Sequence, residues 1–340
     1  MTPRRVLMTA DTVSDVWAYA LELSRGLSAV GIEVMLVVIG PEPSPEQRAE
    51  AISIPGLVLI VPGLELESQD HPGPLSGRGR ERLRSLAGAF EADIVHCNGF
   101  HEAAAGFSAP VLVAAHPVRR TQGCGREVAD RRWGWSAYAD GVRSGLHAAS
   151  LVVAPTRACV AELSAVWGPQ PRSTVIHYGL DLDGRYDGIL VAGCLWDAEG
   201  LASLQEDAAS LPESARLGRP SHAHVLRRTS DTASVAASTP AEPSGFAILR
   251  AAKSGCALVL GDRPGLIELW GDAARVVPEH DADALRRTLQ ELVDHHEARH
   301  RLQAAARDRA QRFPRSAMVS GYLQAYRSLS SHTAPRVRAA

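Results

Sequence analysis

The sequence has a single lysine, Lys253, among its 36 basic side chains, and all the others are arginines. With 38 acidic side chains the formal net charge is −2, so the chain lacks the basic field that nucleic-acid binding requires. Its 5 cysteines include no C-x-x-C pair, which excludes a disulfide framework or a zinc module and favours a reducing, cytoplasmic setting. No apolar run reaches the roughly 18 residues of a membrane span, so we expect no stable insertion into a membrane.

Length and composition predict two globular domains. The chain has 340 residues, of which 45% are hydrophobic and 22% charged, and a typical domain has roughly 100 to 200 residues. The stretch 181–187 has the Gly and Asp content of a linker. We therefore predict a first domain, a linker, a second domain, a closing helix and a tail, with the bounds 1–180, 181–187, 188–313, 314–330 and 331–340.

Short apolar runs alternate with helical patterns along both halves of the chain. This alternation is typical of parallel sheets that helices cover on both faces. The predicted strands of the first half are Val6–Ala10, Glu33–Ile39, Leu57–Val61, Ile94–Cys97, Val111–Ala115, Leu151–Ala154 and Thr174–His177. Those of the second half are Ile189–Gly193, 233–237, Ala257–Leu260 and Arg275–Val277. The predicted fold class is α/β, with two Rossmann-like domains in succession.

Polar side chains follow several of the predicted strands. Parallel sheets bind ligands outside the carboxyl ends of their strands, so these positions are candidates for a site. They comprise the loop Asp11–Asp15, His96 with Asn98, and His116. A histidine there can act as a base or a hydrogen-bond donor, although a loop histidine with a purely structural hydrogen bond remains the alternative for each one alone.

The segment Glu242–Arg250, E-P-S-G-F-A-I-L-R, begins a predicted helix in the second half. Backbone N–H groups at a helix start can bind a phosphate, and the Glu242 carboxylate can accept hydrogen bonds from sugar hydroxyls. Taken alone, the segment also fits a plain helix start with a proline and a glycine in the preceding loop.

The longer segment GFAILRAAKSGCALVLGDRPGLIELWGDAARVVPEHD closely resembles the donor-binding segment of family 4 retaining glycosyltransferases of the GT-B fold. Further segments resemble other parts of that family in the same order. RVLMTADTVSDVWAYALELSRGLSAVGIEV is similar to its first strand, loop and helix, and APVLVAAH to a middle strand. RFPRSAMVSGYLQAYRSL is similar to its closing helix, which crosses back to the first domain in this fold.

The resemblance implies a metal-independent, hexosyltransferase-type enzyme without a cofactor, in which the second domain binds a nucleotide sugar and the first binds a small-molecule or glycan acceptor. Helix dipoles and arginines would neutralise the diphosphate. It assigns catalytic roles to His116 and Glu242. It assigns donor binding to Gly193, Cys194, Gly245, Phe246, Arg250 and Glu268, and acceptor binding to Ser14, Asp15 and Asn98. For Glu268 a structural capping role is an equal alternative.

The sequence departs from the family pattern at positions that bind the ligands in the family. Ser14 and Asp15 stand where the family usually has two glycines, and neither the arginine nor the lysine that follows the glycine of the donor-phosphate loop is present. Arg250 stands in place of the second carboxylate of the E-x7-E signature, and Tyr178 in place of a frequent asparagine. The second domain is also predicted to be reduced, because few residues separate Gly193 from Glu242.

Two functions follow from this pattern. The first is a glycosyltransferase that moves a sugar from a nucleotide-sugar donor to an acceptor with retention. The alternative is a catalytically impaired GT-B relative that serves as an auxiliary or binding subunit of an active glycosyltransferase, its partner. Retention of His116 and Glu242 favours the first, and the loss of the phosphate-binding cations favours the second.

Overall fold

The structure is a computed structural model that describes residues 2–65, 75–116, 134–170, 172–182, 188–192, 234–237, 245–279 and 281–331. Three of the predicted site residues lie outside these ranges: Gly193, Cys194 and Glu242. The predicted linker lies mostly outside them as well.

Seven parallel strands form the sheet of the first domain, in the order β3-β2-β1-β4-β5-β6-β7. The central strands are continuous apolar runs because helices cover both of their faces; in β1 the five inner residues are all buried. The strands are β1 (Arg5–Asp11), β2 (Glu33–Ile39), β3 (Leu57–Leu64), β4 (Ile94–Cys97), β5 (Val111–Ala114), β6 (Leu151–Ala154) and β7 (Ser173–Val175).

Helices connect these strands and begin at recognisable capping residues. The Thr156 hydroxyl accepts a hydrogen bond from the Cys159 N–H at the start of α6, and Ser44 forms a capping box with Gln47 at the start of α2. The helices are α1 (Val16–Ala29), α2 (Pro45–Ile52), α3 (Gly77–Ala89), α4 (Phe100–Ala103), α5 (Gly134–Ala148) and α6 (Arg157–Trp167).

A second, smaller sheet has four parallel strands in the described residues, in the order β11-β10-β8-β9. Its strands are β8 (Gly188–Ala192), β9 (Ser234–Ala237), β10 (Ala257–Gly261) and β11 (Arg275–Val277). The helices that follow are α7 (Gly245–Ser254), α8 (Pro264–Trp270), α9 (Ala282–Asp294) and α10 (His296–Ala310). The predicted α/β fold with two Rossmann-like domains, the second one smaller, is therefore confirmed.

The last described helix, α11 (Arg315–Ser331), returns to the first domain and packs against α1 and β4. Two glycines allow this close approach. A Cβ atom on Gly26 would collide with the Val319 side chain, and one on Gly179 would collide with the Pro314 carbonyl oxygen. The prediction of a closing helix that crosses back is thus confirmed.

Charged side chains fix the same crossing. The Glu22 carboxylate, 4% exposed, accepts a hydrogen bond from Arg315 Nε at 2.7 Å and lies 3.2 Å from Arg25. Its Oε1 also accepts from the N–H of Asp181, where the chain leaves the first domain. Among the helices in the described part of the chain, none combines the length and apolar character that crossing a bilayer requires.

Gly26→Ala is expected to destabilise the protein by about 1 to 3 kcal/mol, because the added methyl group overpacks the contact between α1 and α11. Gly88→Ala in α3 is the matched control, since a Cβ there meets no atom within 4 Å. That change is expected to stabilise by about 0.5 to 1 kcal/mol, because alanine is the better helix former. Urea unfolding of the two variants measures both effects, and equal stabilities would contradict the packing described.

Candidate active site between the two domains

The topology of the first sheet places its crevice between β1 and β4, where the strand order reverses. The residues that line its carboxyl edge are those predicted from the sequence. Ser14 and Asp15 follow β1, Asn98 follows β4, and His116 follows β5. The structure therefore brings all four predicted first-domain site residues to one edge of one sheet.

Both ring nitrogens of His116 have hydrogen-bond partners. Nε2 lies 2.9 Å from Oδ1 of Asn98, and Nδ1 lies 2.8 Å from the hydroxyl oxygen of Tyr178. The Asn98 side chain is itself fixed, because its Nδ2 donates to the carbonyl oxygen of Thr9 at 2.7 Å. His116 is thus held from two sides by residues of its own domain.

These contacts determine the tautomer of His116. Because Nδ2 of Asn98 donates to a carbonyl, Oδ1 faces the imidazole and can only accept, so Nε2 carries the proton. Nδ1 is then the acceptor in the neutral ring, and the Tyr178 hydroxyl donates to it. The one basic atom of His116 is therefore covered by a phenol.

Burial lowers the pKa of His116 to about 4, and the nearby Asp15 carboxylate opposes this only in part. His116 is consequently neutral near pH 7, and it can act there through hydrogen bonds but not as a proton donor in its charged form. Asp15 stands at the start of α1, and its side chain does not cap that helix.

Ser14 is occupied within its own loop. Its hydroxyl donates to Oδ2 of Asp11 at 2.7 Å and accepts from the N–H of Val16 at 3.1 Å. Oδ1 of Asp11 also accepts from the N–H groups of Val13 and Ser14, which closes the turn after β1. The loop that is glycine-rich in the family is therefore a side-chain-filled turn here, and the acceptor-binding roles of Ser14 and Asp15 stay predictions.

An aromatic cluster joins the two domains beside His116. Tyr178 packs edge-on against Phe246 of α7, with ring centroids 5.9 Å apart, and a Cβ on Gly245 would lie 3.2 Å from two carbons of its ring. Tyr19 of α1 lies against both His116 and Tyr178, at 4.9 and 5.4 Å. Two predicted donor-binding residues, Gly245 and Phe246, thus face the predicted catalytic histidine across this cluster.

Sequence reasoning missed Tyr19 as a residue of this cluster and marked Tyr178 only as a departure from the family. Tyr19 lies on the buried face of an amphipathic helix, and such a pattern does not separate a core tyrosine from one that faces a cleft. His96, predicted together with Asn98 to follow a strand, lies within β4 and is fully buried. Its Nδ1 lies 2.7 Å from the hydroxyl of Tyr326 on the closing helix, and burial lowers its pKa to about 3.

Glu268 connects the domains rather than standing open to a ligand. Its two carboxylate oxygens accept hydrogen bonds from the N–H groups of Arg157 and Ala158, at 3.0 and 2.9 Å, which are the first residues of α6. A carboxylate at this position accepts hydrogen bonds from two of the otherwise unpaired N–H groups of a helix start. Its negative charge also interacts favourably with the positive end of the helix dipole. The geometry fits the capping alternative, and the donor-binding role of Glu268 stays a prediction.

In the second domain, Arg250 lies on α7 and is partly exposed. It is five residues from Gly245, about 7.5 Å along the helix axis. No group of three His, Cys, Asp or Glu side chains in the described residues has the arrangement of a metal site.

Two Rossmann-like domains and a closing helix that returns to the first domain define a GT-B glycosyltransferase fold. Residues 16–183, which make up most of the first domain, match the model of Glycosyltransferase Family 4. No curated protein sequence matches the chain.

Solved structures similar to this chain are glycosyltransferases at low sequence identity. Sucrose-phosphate synthase from Thermosynechococcus elongatus has a TM-score of 0.71 and 15% identity, covering 97% of this chain and 100% of that one. HepE from Anabaena, in complex with UDP-glucose, has a TM-score of 0.67 and 13% identity over 95% and 99% of the two chains. A glycosyltransferase from Rickettsia africae has a TM-score of 0.62 and 12% identity over 97% and 99%.

His116 is expected to be a neutral Nε2–H tautomer at about pH 6, which the ¹⁵N chemical shifts of its ring would show directly. The pKa of His116 is about 4 in the folded state and has the ordinary value of 6.5 in the unfolded state. Between these two pH values the folded state therefore binds fewer protons than the unfolded state. His116 therefore contributes stability that is fully present above pH 6.5 and is lost as the pH falls through 4. Asn98→Asp keeps the shape but faces Nε2 with a carboxylate, and it should raise the pKa of His116 by about 1 to 3. An Nδ1–H tautomer in the wild type would contradict the hydrogen-bond assignment.

Glu268→Gln is expected to lower the free energy of unfolding by about 1 to 2 kcal/mol, because the helix start loses a charged acceptor. Arg157→Ala is the control, since its side chain is 86% exposed and its N–H group remains; it should change stability by less than about 0.5 kcal/mol. Equal effects of the two changes would refute the capping role. Titration of a nucleoside diphosphate into Glu268→Gln separately tests the predicted donor contact.

Proposed function

We propose that the protein is a glycosyltransferase that moves a sugar from a nucleotide-sugar donor to an acceptor with retention of the anomeric configuration. The observation that supports this most is the juxtaposition of His116, at the carboxyl edge of the first sheet, with Gly245 and Phe246, at the start of α7 in the second domain. The family match of the first domain supports it as well.

The donor is proposed to bind to the second domain. The order β11-β10-β8-β9 puts the crevice of this sheet between β8 and β10, and Gly193 and Cys194 directly follow β8. The N–H groups at the start of α7 would face the diphosphate, and the Glu242 carboxylate, three residues before α7, would accept hydrogen bonds from hydroxyls of the sugar. The UDP and UDP-glucose complexes of HepE make uridine nucleotides the first donors to test.

Charge on the departing diphosphate is the main energetic demand of this reaction. In the proposed donor loop no cation follows Gly193 closely, so another group has to stabilise the leaving group. Arg250 is the candidate, because its guanidinium can donate two hydrogen bonds to a phosphate and its partly exposed side chain lies near the start of α7. His116, neutral near pH 7, would orient the sugar by hydrogen bonds and would not transfer a proton.

A second candidate function is the impaired GT-B relative that serves as an auxiliary or binding subunit. The observation in its favour is that both nitrogens of His116 are occupied by Asn98 and Tyr178, together with the missing loop cations. Such a subunit would keep the fold and its partner surface without turning over a donor.

A panel of UDP-sugars in a hydrolysis and transfer assay separates the two functions. The wild type is expected to consume at least one donor, and His116→Ala should lower turnover by about 100-fold, since a hydrogen bond to the reacting sugar is lost. His177→Ala is the matched control, because His177 follows β7 at the same edge but bonds to the carbonyl of Pro155. The anomeric proton signals of the product would report retention or inversion.

Nucleotide binding gives the complementary measurement. Arg250→Ala is expected to weaken UDP binding in calorimetry by about tenfold, the loss of a charge-assisted hydrogen bond. Equal affinities would exclude Arg250 from the diphosphate site. Absence of any nucleotide binding in the wild type, together with no turnover, would refute the enzyme and leave the auxiliary function.

A further inference from the structure

Tyr178 fills the gap between His116 and the start of α7. Its ring lies parallel to the imidazole, with an interplanar angle of 2° and a centroid distance of 5.9 Å. On its other side are Phe246 and Gly245 of the second domain. The residue is only 6% exposed, so a second ring of similar size cannot enter this gap while Tyr178 remains there.

The same gap is where the sugar of the proposed donor has to lie. The sugar is proposed to contact His116, and the diphosphate to which it is bonded is proposed to face the N–H groups at the start of α7. A hexose is a six-membered ring that carries hydroxyls, and Tyr178 presents a six-membered ring with one hydroxyl to the same imidazole. The two rings would compete for one place.

We propose that Tyr178 occupies the sugar subsite of the donor in the ligand-free protein, with its hydroxyl in the place of a sugar hydroxyl on Nδ1 of His116. This inference rests on the proposed function, because it assigns the place of the donor's sugar. It makes Tyr178 the residue that decides whether a sugar, as distinct from the nucleotide, can bind.

The hydrogen-bond pattern makes the exchange of the two hydroxyls nearly neutral. Nε2 of His116 donates to Asn98 in either state, and Nδ1 needs a donor. A phenol and a sugar hydroxyl can both provide it, so no buried polar atom loses its partner when one replaces the other. The free-energy cost of sugar entry then comes from the packing contacts that the Tyr178 ring loses when it leaves the gap.

The backbone around Tyr178 is fixed, so the side chain has to make this movement. A Cβ on Gly179 would collide with Pro314, and the N–H of Leu180 donates to the carbonyl of Phe313 at 3.1 Å. The ring can leave only by rotation of its side chain. Its contacts with Phe246 and Gly245 belong to the other domain, so separation of the domains at this point would loosen it.

The inference is tested by calorimetric titration of UDP and of UDP-glucose into the full-length protein and three variants. Tyr178→Ala removes the ring and Tyr178→Phe removes only the hydroxyl. Tyr326→Phe is the matched control, because it removes the hydroxyl of a buried tyrosine that bonds to the other buried histidine, His96. We call the state in which the Tyr178 ring has left the gap the open state. If the open state makes up about one tenth of the ligand-free protein, Tyr178→Ala should strengthen UDP-glucose binding about tenfold and leave UDP binding unchanged.

The ¹⁵N signal of Nδ1 of His116 gives a second readout, which does not depend on the stability of Tyr178→Ala. In Tyr178→Phe this nitrogen loses its donor, and UDP-glucose should restore the hydrogen-bonded shift whereas UDP should not. In Tyr326→Phe both ligands should leave the signal as in the wild type.

The outcomes separate this inference from the proposed function. Normal UDP binding, with an unchanged preference for UDP-glucose in Tyr178→Ala and no effect of UDP-glucose on His116 in Tyr178→Phe, would overturn the inference alone. If the wild type and all variants fail to bind UDP and every other nucleotide tested, the proposed function fails and this inference fails with it.

Discussion

The arrangement of the two domains depends on one buried carboxylate. Glu22 lies on α1, and its partners come from both segments in which the chain crosses between the domains. The N–H of Asp181 belongs to the segment that leaves the first domain, and Arg315 belongs to the start of the closing helix that returns to it. The Glu22 carboxylate is 4% exposed, and Arg25 is a third partner, so the buried charge is compensated from α1 as well as from both crossings.

Aromatic rings fill the space between the two domains beside His116, and one of them, Tyr178, stands where the family frequently has an asparagine. Tyr19, Tyr178 and Phe246 pack on one another, and Tyr19 and Tyr178 also pack on His116, so the contact between the domains beside His116 is made by aromatic rings. The single lysine does not compensate for the missing loop cations, because Lys253 is 5% exposed on α7. The cleft therefore depends on packing where relatives are expected to depend on charge.

The fold could be predicted because continuous apolar strands alternate with helices, and strands such as β4 and β6 have the bounds that their apolar runs predict. The edge strand β3 extends three residues beyond its predicted end, through Pro62, since an edge strand tolerates a missing N–H group. In the candidate site, the positions of Asn98 and His116 at the carboxyl edge of the sheet could be predicted, because each follows a predicted strand. The partnership of His116 with Tyr178 could not, because the two are 62 residues apart and meet only through the sheet.

The closing helix also has a consequence for the order of events during synthesis. Tyr322 and Tyr326 of α11 bond to Tyr19 and His96, which lie in the interior of the first domain. Domains usually fold in order as the chain leaves the ribosome, but here the interior of the first domain is completed by residues that are made after those of the second domain. Until α11 has been synthesised and has left the ribosome, the hydroxyl of Tyr19 and Nδ1 of His96 lack these partners. The first domain therefore completes its interior only after the second domain has been made.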